Sequence, residues 1–148
     1  MHWSVIDPIQ AEADAFVGFI GESEKRRFSA LLHLETHDGV AVAFYRRAVA
    51  KADAQLLGVV LDEEGPGEWV AMGATEVAAG GARHVSARPS KRGDWVLAIF
   101  GSAPTGASVA LLEQGDELRE VSIREGVYAF MARTPAQPEG RVSSVRFK

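Results

Sequence analysis

Between Gly101 and Phe130 the chain reads GSAPTGASVALLEQGDELREVSIREGVYAF. Two short alternating apolar runs flank a polar, glycine-containing turn, and a third run follows at once. Side chains on a strand point to opposite faces in turn, so such alternation specifies half-buried strands. Connections this short can join only neighbours that run in opposite directions. The same rhythm extends over most of the chain. Gln55 to Asp62 and Trp69 to Val77 flank the turn Glu63-Glu64-Gly65-Pro66-Gly67, and His84 to Arg88 forms a short strand ending at Pro89. Asp94 to Phe100 (DWVLAIF) is nearly all apolar and reads as a central strand. Ser108 to Glu113, Glu117 to Arg124, Val127 to Ala132 and Arg141 to Phe147 complete the series, the last after the Pro-rich loop 134–140. Strands repeating roughly every 8 to 12 residues with turns between them predict an antiparallel β-sandwich or an open barrel.

One segment breaks the β rhythm. Asp7, Pro8 and Gln10 form a helix-start signal, with Asp7 as the cap and Pro8 in the first turn. Ile9, Ala13, Phe16, Val17 and Ile20 then recur at helical spacing, and Gly21 offers a left-handed stop. This predicts an amphipathic helix over about 8–20, whose apolar face must cover a sheet or meet another subunit. Residues 28–47 fit two patterns. Phe28, Leu31, Leu32 and Glu35 have helical spacing, which would give a helix over 23–37. The alternation through His37, followed by Asp38-Gly39 and VAVAFY, favours a hairpin turning at Asp38-Gly39.

The chain has 148 residues, 47% of them hydrophobic and 24% charged, which suits a single domain with its own core. It has no cysteine, so any metal site would rest on histidines and carboxylates. The net charge is −4, which argues against a general nucleic-acid binder. No stretch approaches the ~18 apolar residues of a membrane span, and the start lacks a secretory pattern, so a cytoplasmic location is expected.

The run GASVALLEQGDELREVSIREGVYAF, within residues 106–130, resembles the paired strands of bacterial immunoglobulin-like and prealbumin-like modules. Small residues open a strand, a glycine turns it, a polar strand follows, and another glycine precedes an aromatic-bearing strand. The resemblance implies a binding or assembly role and carries over no catalytic residue.

Two sets of residues are candidates for a site. His33, Glu35 and His37 share one face if they lie on a strand, and a neighbouring His-Glu pair could ligate a divalent metal. On a regular strand His33 and His37 stand roughly 13 Å apart, too far to meet at one ion. On a helix the two histidines would share a face, with Asp38 or His84 completing a site. Arg83, Arg88, Lys91 and Arg92 lie in a ten-residue stretch without an acid, a composition that could grip phosphate or another polyanion. The primary expectation is a non-catalytic binding or assembly module without a cofactor, whose partner is another protein or a second copy in a homodimer. The metal-dependent or ligand-binding protein and the phosphate or nucleic-acid binder are the alternatives.

Overall fold

The computed structural model describes residues 8–24, 28–47, 56–77, 83–114, 116–137 and 143–148. Among these residues, helix α1 (Pro8–Glu24) is followed by ten strands: β1 (Phe28–His37), β2 (Val40–Arg47), β3 (Leu56–Gly65), β4 (Glu68–Val77) and β5 (Arg83–Pro89), then β6 (Trp95–Ser102), β7 (Val109–Gln114), β8 (Glu117–Ser122), β9 (Val127–Thr134) and β10 (Ser143–Phe147). They form three antiparallel sheets, and none closes into a barrel. The first is the meander β1-β2-β3-β4, the second has the order β5-β6-β9, and the third β10-β7-β8.

Burial arranges these elements in layers. The side chains of Val40, Val42, Phe44 and Val60 pack against Val96, Ala98, Phe100, Ala129 and Met131, closing the first sheet onto the second. The opposite face of the second sheet, through Leu97, Ile99, Tyr128 and Phe130, meets Ala110, Leu112, Val145 and Phe147 of the third. The outer face of the first sheet is covered by α1, whose Ile9, Ala13 and Val17 pack on Ala41, Ala43, Tyr45, Leu57 and Val59. The second sheet is therefore the middle layer. This explains why DWVLAIF is apolar almost throughout: β6 is central in that sheet and buried on both faces.

The local chemistry follows the sequence at the turns. Asp38 and Gly39 both have positive φ, 52° and 69°, and join His37 to Val40 in a two-residue hairpin. Glu125 and Gly126 repeat the device at 54° and 75° between Arg124 and Val127. Primed turns of this kind match the twist of the strands they connect. Helix α1 runs through Gly21 to Glu24, so the predicted stop at Gly21 does not operate. Apolar packing on the first sheet outweighs the roughly 1 kcal/mol that a glycine costs inside a helix. The cap at Asp7 falls outside the described residues. The helix considered over 23–37 is overturned by strand β1, which starts at Phe28 and pairs with β2 through His37. Tertiary pairing overrides the ambiguous local spacing. The turn expected at 63–67 shrinks to Pro66-Gly67, because β3 keeps its pairing as far as Gly65.

The sheets interlock at one point. A Cβ on Gly58 of β3 would lie 2.5 Å from the Phe100 ring, so the missing side chain is the space into which that ring fits. Phe100 also meets Phe44 edge-on, with ring centroids 6.1 Å apart. That geometry suits the quadrupoles of both rings.

Candidate functional site

Two of the three buried polar residues that the described part of the chain holds, Asp62 and Ser90, meet at one end of the contact between the first two sheets, while Ser102 lies at the other end of β6. Asp62, near the end of β3, is 1% exposed, and Ser90, in the β5–β6 turn, is 9% exposed. The Ser90 hydroxyl donates to Asp62 Oδ2 at 2.6 Å. Arg133 of β9 donates to Asp62 Oδ1 through one terminal nitrogen and to Asp94 Oδ1 through the other, at 3.1 Å. Its Nε donates to the Asp38 carbonyl at 2.9 Å, and the terminal nitrogen that meets Asp62 also donates to the Gly39 and Glu63 carbonyls at 2.7 and 3.2 Å. Arg92 donates to that same Glu63 carbonyl at 3.0 Å.

The guanidinium thus ties the β1–β2 turn, the end of β3 and the β5–β6 turn to β9. A planar fork of five donors is suited to several acceptors at once. Burial works against the Arg133 charge, but the Asp62 and Asp94 carboxylates hold its pKa above the ordinary arginine value. Gly39 serves the cluster twice. Its positive φ makes the turn, and a Cβ there would stand 3.2 Å from guanidinium atoms of both Arg133 and Arg92. The donors and acceptors of this cluster satisfy one another, so its chemistry is that of a clasp.

Among the clasp residues, Arg92 is an anion-binding candidate and Asp38-Gly39 a turn by sequence, whereas Asp62, Ser90, Asp94 and Arg133 carry no site assignment there. A signal was available: Asp62 closes the apolar run LLGVVL, Asp94 opens WVLAIF, and Arg133 follows YAFMA. Charges at the ends of strands buried on both faces must find partners, because an unpaired buried charge is costly.

His33, Glu35 and His37 all lie toward the inner side of the first sheet, opposite Phe44, Val42 and Val40. A register shift between Leu31 and His33 sets this arrangement. Leu31 packs with the helix side while Leu32 packs inward, the signature of a bulge that puts two successive residues on one face. His33 Nε2 lies 3.0 Å from Glu35 Oε1, with side-chain exposures of 17% and 20%. His37 is exposed at the end of the strand. His84 stacks on Phe100, with centroids 5.8 Å apart. Among the described residues, no three His, Asp or Glu side chains are grouped as a metal would need.

The four basic candidates do not form one patch. Arg83 and Arg88 fall on opposite faces of β5, five positions apart, whereas Lys91 and Arg92 sit in the turn beyond Pro89. Lys91 lies 3.9 Å from Glu64, and the Arg88 guanidinium rests over Gly73 of β4. All four residues are exposed.

The apolar surface left in water has a pattern of its own. Among the described residues, the large hydrophobic ones that stay exposed are Val70, Val85 and Leu118. They stand on β4, β5 and β8, each an edge strand of a different sheet. Compared with known families, with curated proteins and with solved structures, the chain matches none. No helix among the described residues is long and apolar enough to cross a membrane.

Proposed function

We propose that the protein is a non-catalytic binding or assembly module that engages another polypeptide, a second copy included, through the open edges of its sheets. The observation that carries this reading is the placement of Val70, Val85 and Leu118 on three edge strands. An edge strand offers unpaired backbone donors and acceptors, and an apolar side chain beside them supplies the surface that an added strand would bury. The resemblance to bacterial immunoglobulin-like modules implies the same kind of role. Its support is the antiparallel architecture and the hairpin β7–β8, whereas the β1–β4 meander departs from the Greek-key connections of such sandwiches.

Amide hydrogen exchange across a concentration series, with light scattering on the same samples, tests the reading. A mass above 15.9 kDa, or added extended peptide, accompanied by protection confined to β4, β5 or β8 is the expected result. A 15.9 kDa species with unprotected edges throughout would remove the proposal.

A further inference from the structure

Resting on that reading, we propose that the open edge of β5 is the seam of a homodimer, in which β5 pairs antiparallel with β5 of a second copy across a two-fold axis at Val85. Strand β5 pairs with β6 along its whole length and stands first in the order β5-β6-β9. Its other edge is paired with no strand among the described residues. The Ser90 amide donates to the Asp94 carbonyl at 2.8 Å, so Ser90 turns its backbone groups toward β6. Such groups alternate in direction along an antiparallel ladder. Ser86 and Arg88 therefore also turn theirs to β6, while Val85 and Ala87 turn theirs to the open side. Pro89 belongs to the second set, where its missing N–H costs the β6 ladder nothing.

Val85 supplies the apolar contact. It pairs with Ile99, and Ile99 with Phe130, on the face that the third sheet covers. That cover stops short of β5, and Val85 stays 55% exposed. The basic side chains nearby are engaged within their own copy. Arg83 and His84 have partners in the chain, the Arg88 guanidinium rests over Gly73, Lys91 lies beside Glu64, and Arg92 donates to the Glu63 carbonyl. They call for no counter-charge, so the backbone and Val85 decide what the edge accepts.

Register singles out a second copy as the occupant. Two-fold pairing centred on Val85 sets Val85 against Val85, His84 against Ser86 and Arg83 against Ala87. No like charges stand opposite each other, apolar meets apolar, and the two Val85 residues exchange both of their outward hydrogen bonds. The neighbouring centres lack this fit. A centre on His84 opposes two histidines, one on Ser86 sets His84 against Arg88, and one on Ala87 sets Val85 against Pro89, which has no amide to give. Pairing at Val85 joins the middle layers of the two copies into one continuous sheet.

The chain has no cysteine, so a single introduced thiol reports the register. In a hydrogen-bonded pair of opposite residues the Cα atoms stand about 5.5 Å apart, within the reach of a disulfide. Val85→Cys is therefore expected to give a disulfide-linked dimer under mild oxidation well ahead of Ala87→Cys, whose twin would lie roughly 13 Å away along the strands. Wild type, followed by light scattering and amide hydrogen exchange across a concentration series, is expected to pass from 15.9 kDa toward twice that mass with protection at Val85 and Ala87. Val85→Glu, an exposed change whose melting temperature verifies folding, sets two like charges face to face and is expected to weaken the dimer roughly tenfold or more. Linking of Val85→Cys no faster than of Ala87→Cys, or a dimer indifferent to Val85→Glu, would overturn the proposal. Protection of β4 or β8, by a second copy or by a peptide, while Val85 and Ala87 exchange freely would overturn this assignment and leave the binding-module reading standing. If no edge gains protection under any condition, both readings fall.

Discussion

The Arg133 guanidinium and the Asp62 carboxylate form a buried ion pair across two sheets, with side-chain exposures of 9% and 1%. The residues are 71 positions apart in the chain, so the pair fixes how the β6–β9 layer seats on the β3 layer. Removing one partner leaves an uncompensated charge, and Asp62→Ala or Arg133→Ala is expected to cost about 3–5 kcal/mol. The double variant Asp62→Ala/Arg133→Ala should cost clearly less than the two single costs together. A double-mutant cycle in urea checks this, and simple additivity would refute the clasp.

Gly58→Ala should destabilise by roughly 1–3 kcal/mol, since the new methyl collides with the Phe100 ring. Pairing it with Phe100→Leu should recover part of the loss relative to Phe100→Leu alone. Denaturant midpoints give the comparison directly. A neutral Gly58→Ala would show that the two layers are not interlocked there.

Both tyrosines of the chain are buried, and both hydroxyls resist ionisation. Tyr45 donates to Asp14 of α1, and burial followed by that carboxylate pushes its pKa well above the ordinary 10.0. Burial also raises Tyr128, with the Arg83 charge opposing in part. A folded-state pKa above the unfolded one means that the native state holds the proton more tightly. The resulting stability is complete below about pH 10 and is lost as pH rises further, at up to about 1.4 kcal/mol per pH unit for each group. Tyrosinate absorbance should therefore appear together with unfolding, and Tyr45→Phe should flatten the alkaline loss. Gradual titration around pH 10 in the folded protein would contradict this.

The Tyr128 hydroxyl is buried and has no hydrogen-bond partner among the described residues. Tyr128→Phe should be neutral or stabilising by up to about 1–3 kcal/mol, because it removes an unmet desolvation cost. Thermal melts decide, and a clear loss of stability would reveal a partner for the hydroxyl.

Zinc or manganese at stoichiometric levels should shift the melting temperature of wild type and His37→Ala equally little. His33 is 3.0 Å from Glu35, while His37 is exposed at the end of the strand. A metal-dependent shift abolished by His37→Ala would instead favour the metal-binding alternative.

Local chemistry explains which parts of this architecture could be read from sequence. Asp38-Gly39 and Glu125-Gly126 need left-handed backbone at both positions, and the alternation beside them leaves few choices, so both hairpins were legible. The inward facing of His33 depends on a bulge at Leu32, which only pairing with β2 reveals. Stacking of layers was equally hidden: a strand buried on two faces announces its burial but not what covers each side. The Arg133 cluster depends on side chains from three separate parts of the chain and carbonyls from a fourth, and no local pattern joins them.

The closure of β6 onto β9 has a consequence for the order of assembly. Ser102 pairs with Val127, and the Ala103 amide donates to the Gly126 carbonyl at 2.8 Å, so β7 and β8 leave and rejoin the middle layer at one spot. Synthesis from the N-terminus can complete the first sheet as a local meander, but β6 must wait through this excursion for β9. β10, later still, then lies alongside β7. The apolar face bearing Leu97 and Ile99 is thus the last to be sealed. A ribosome paused before β10 would present a nascent chain whose first two sheets can already close while that flank stays sticky, the stage at which a chaperone has most to gain.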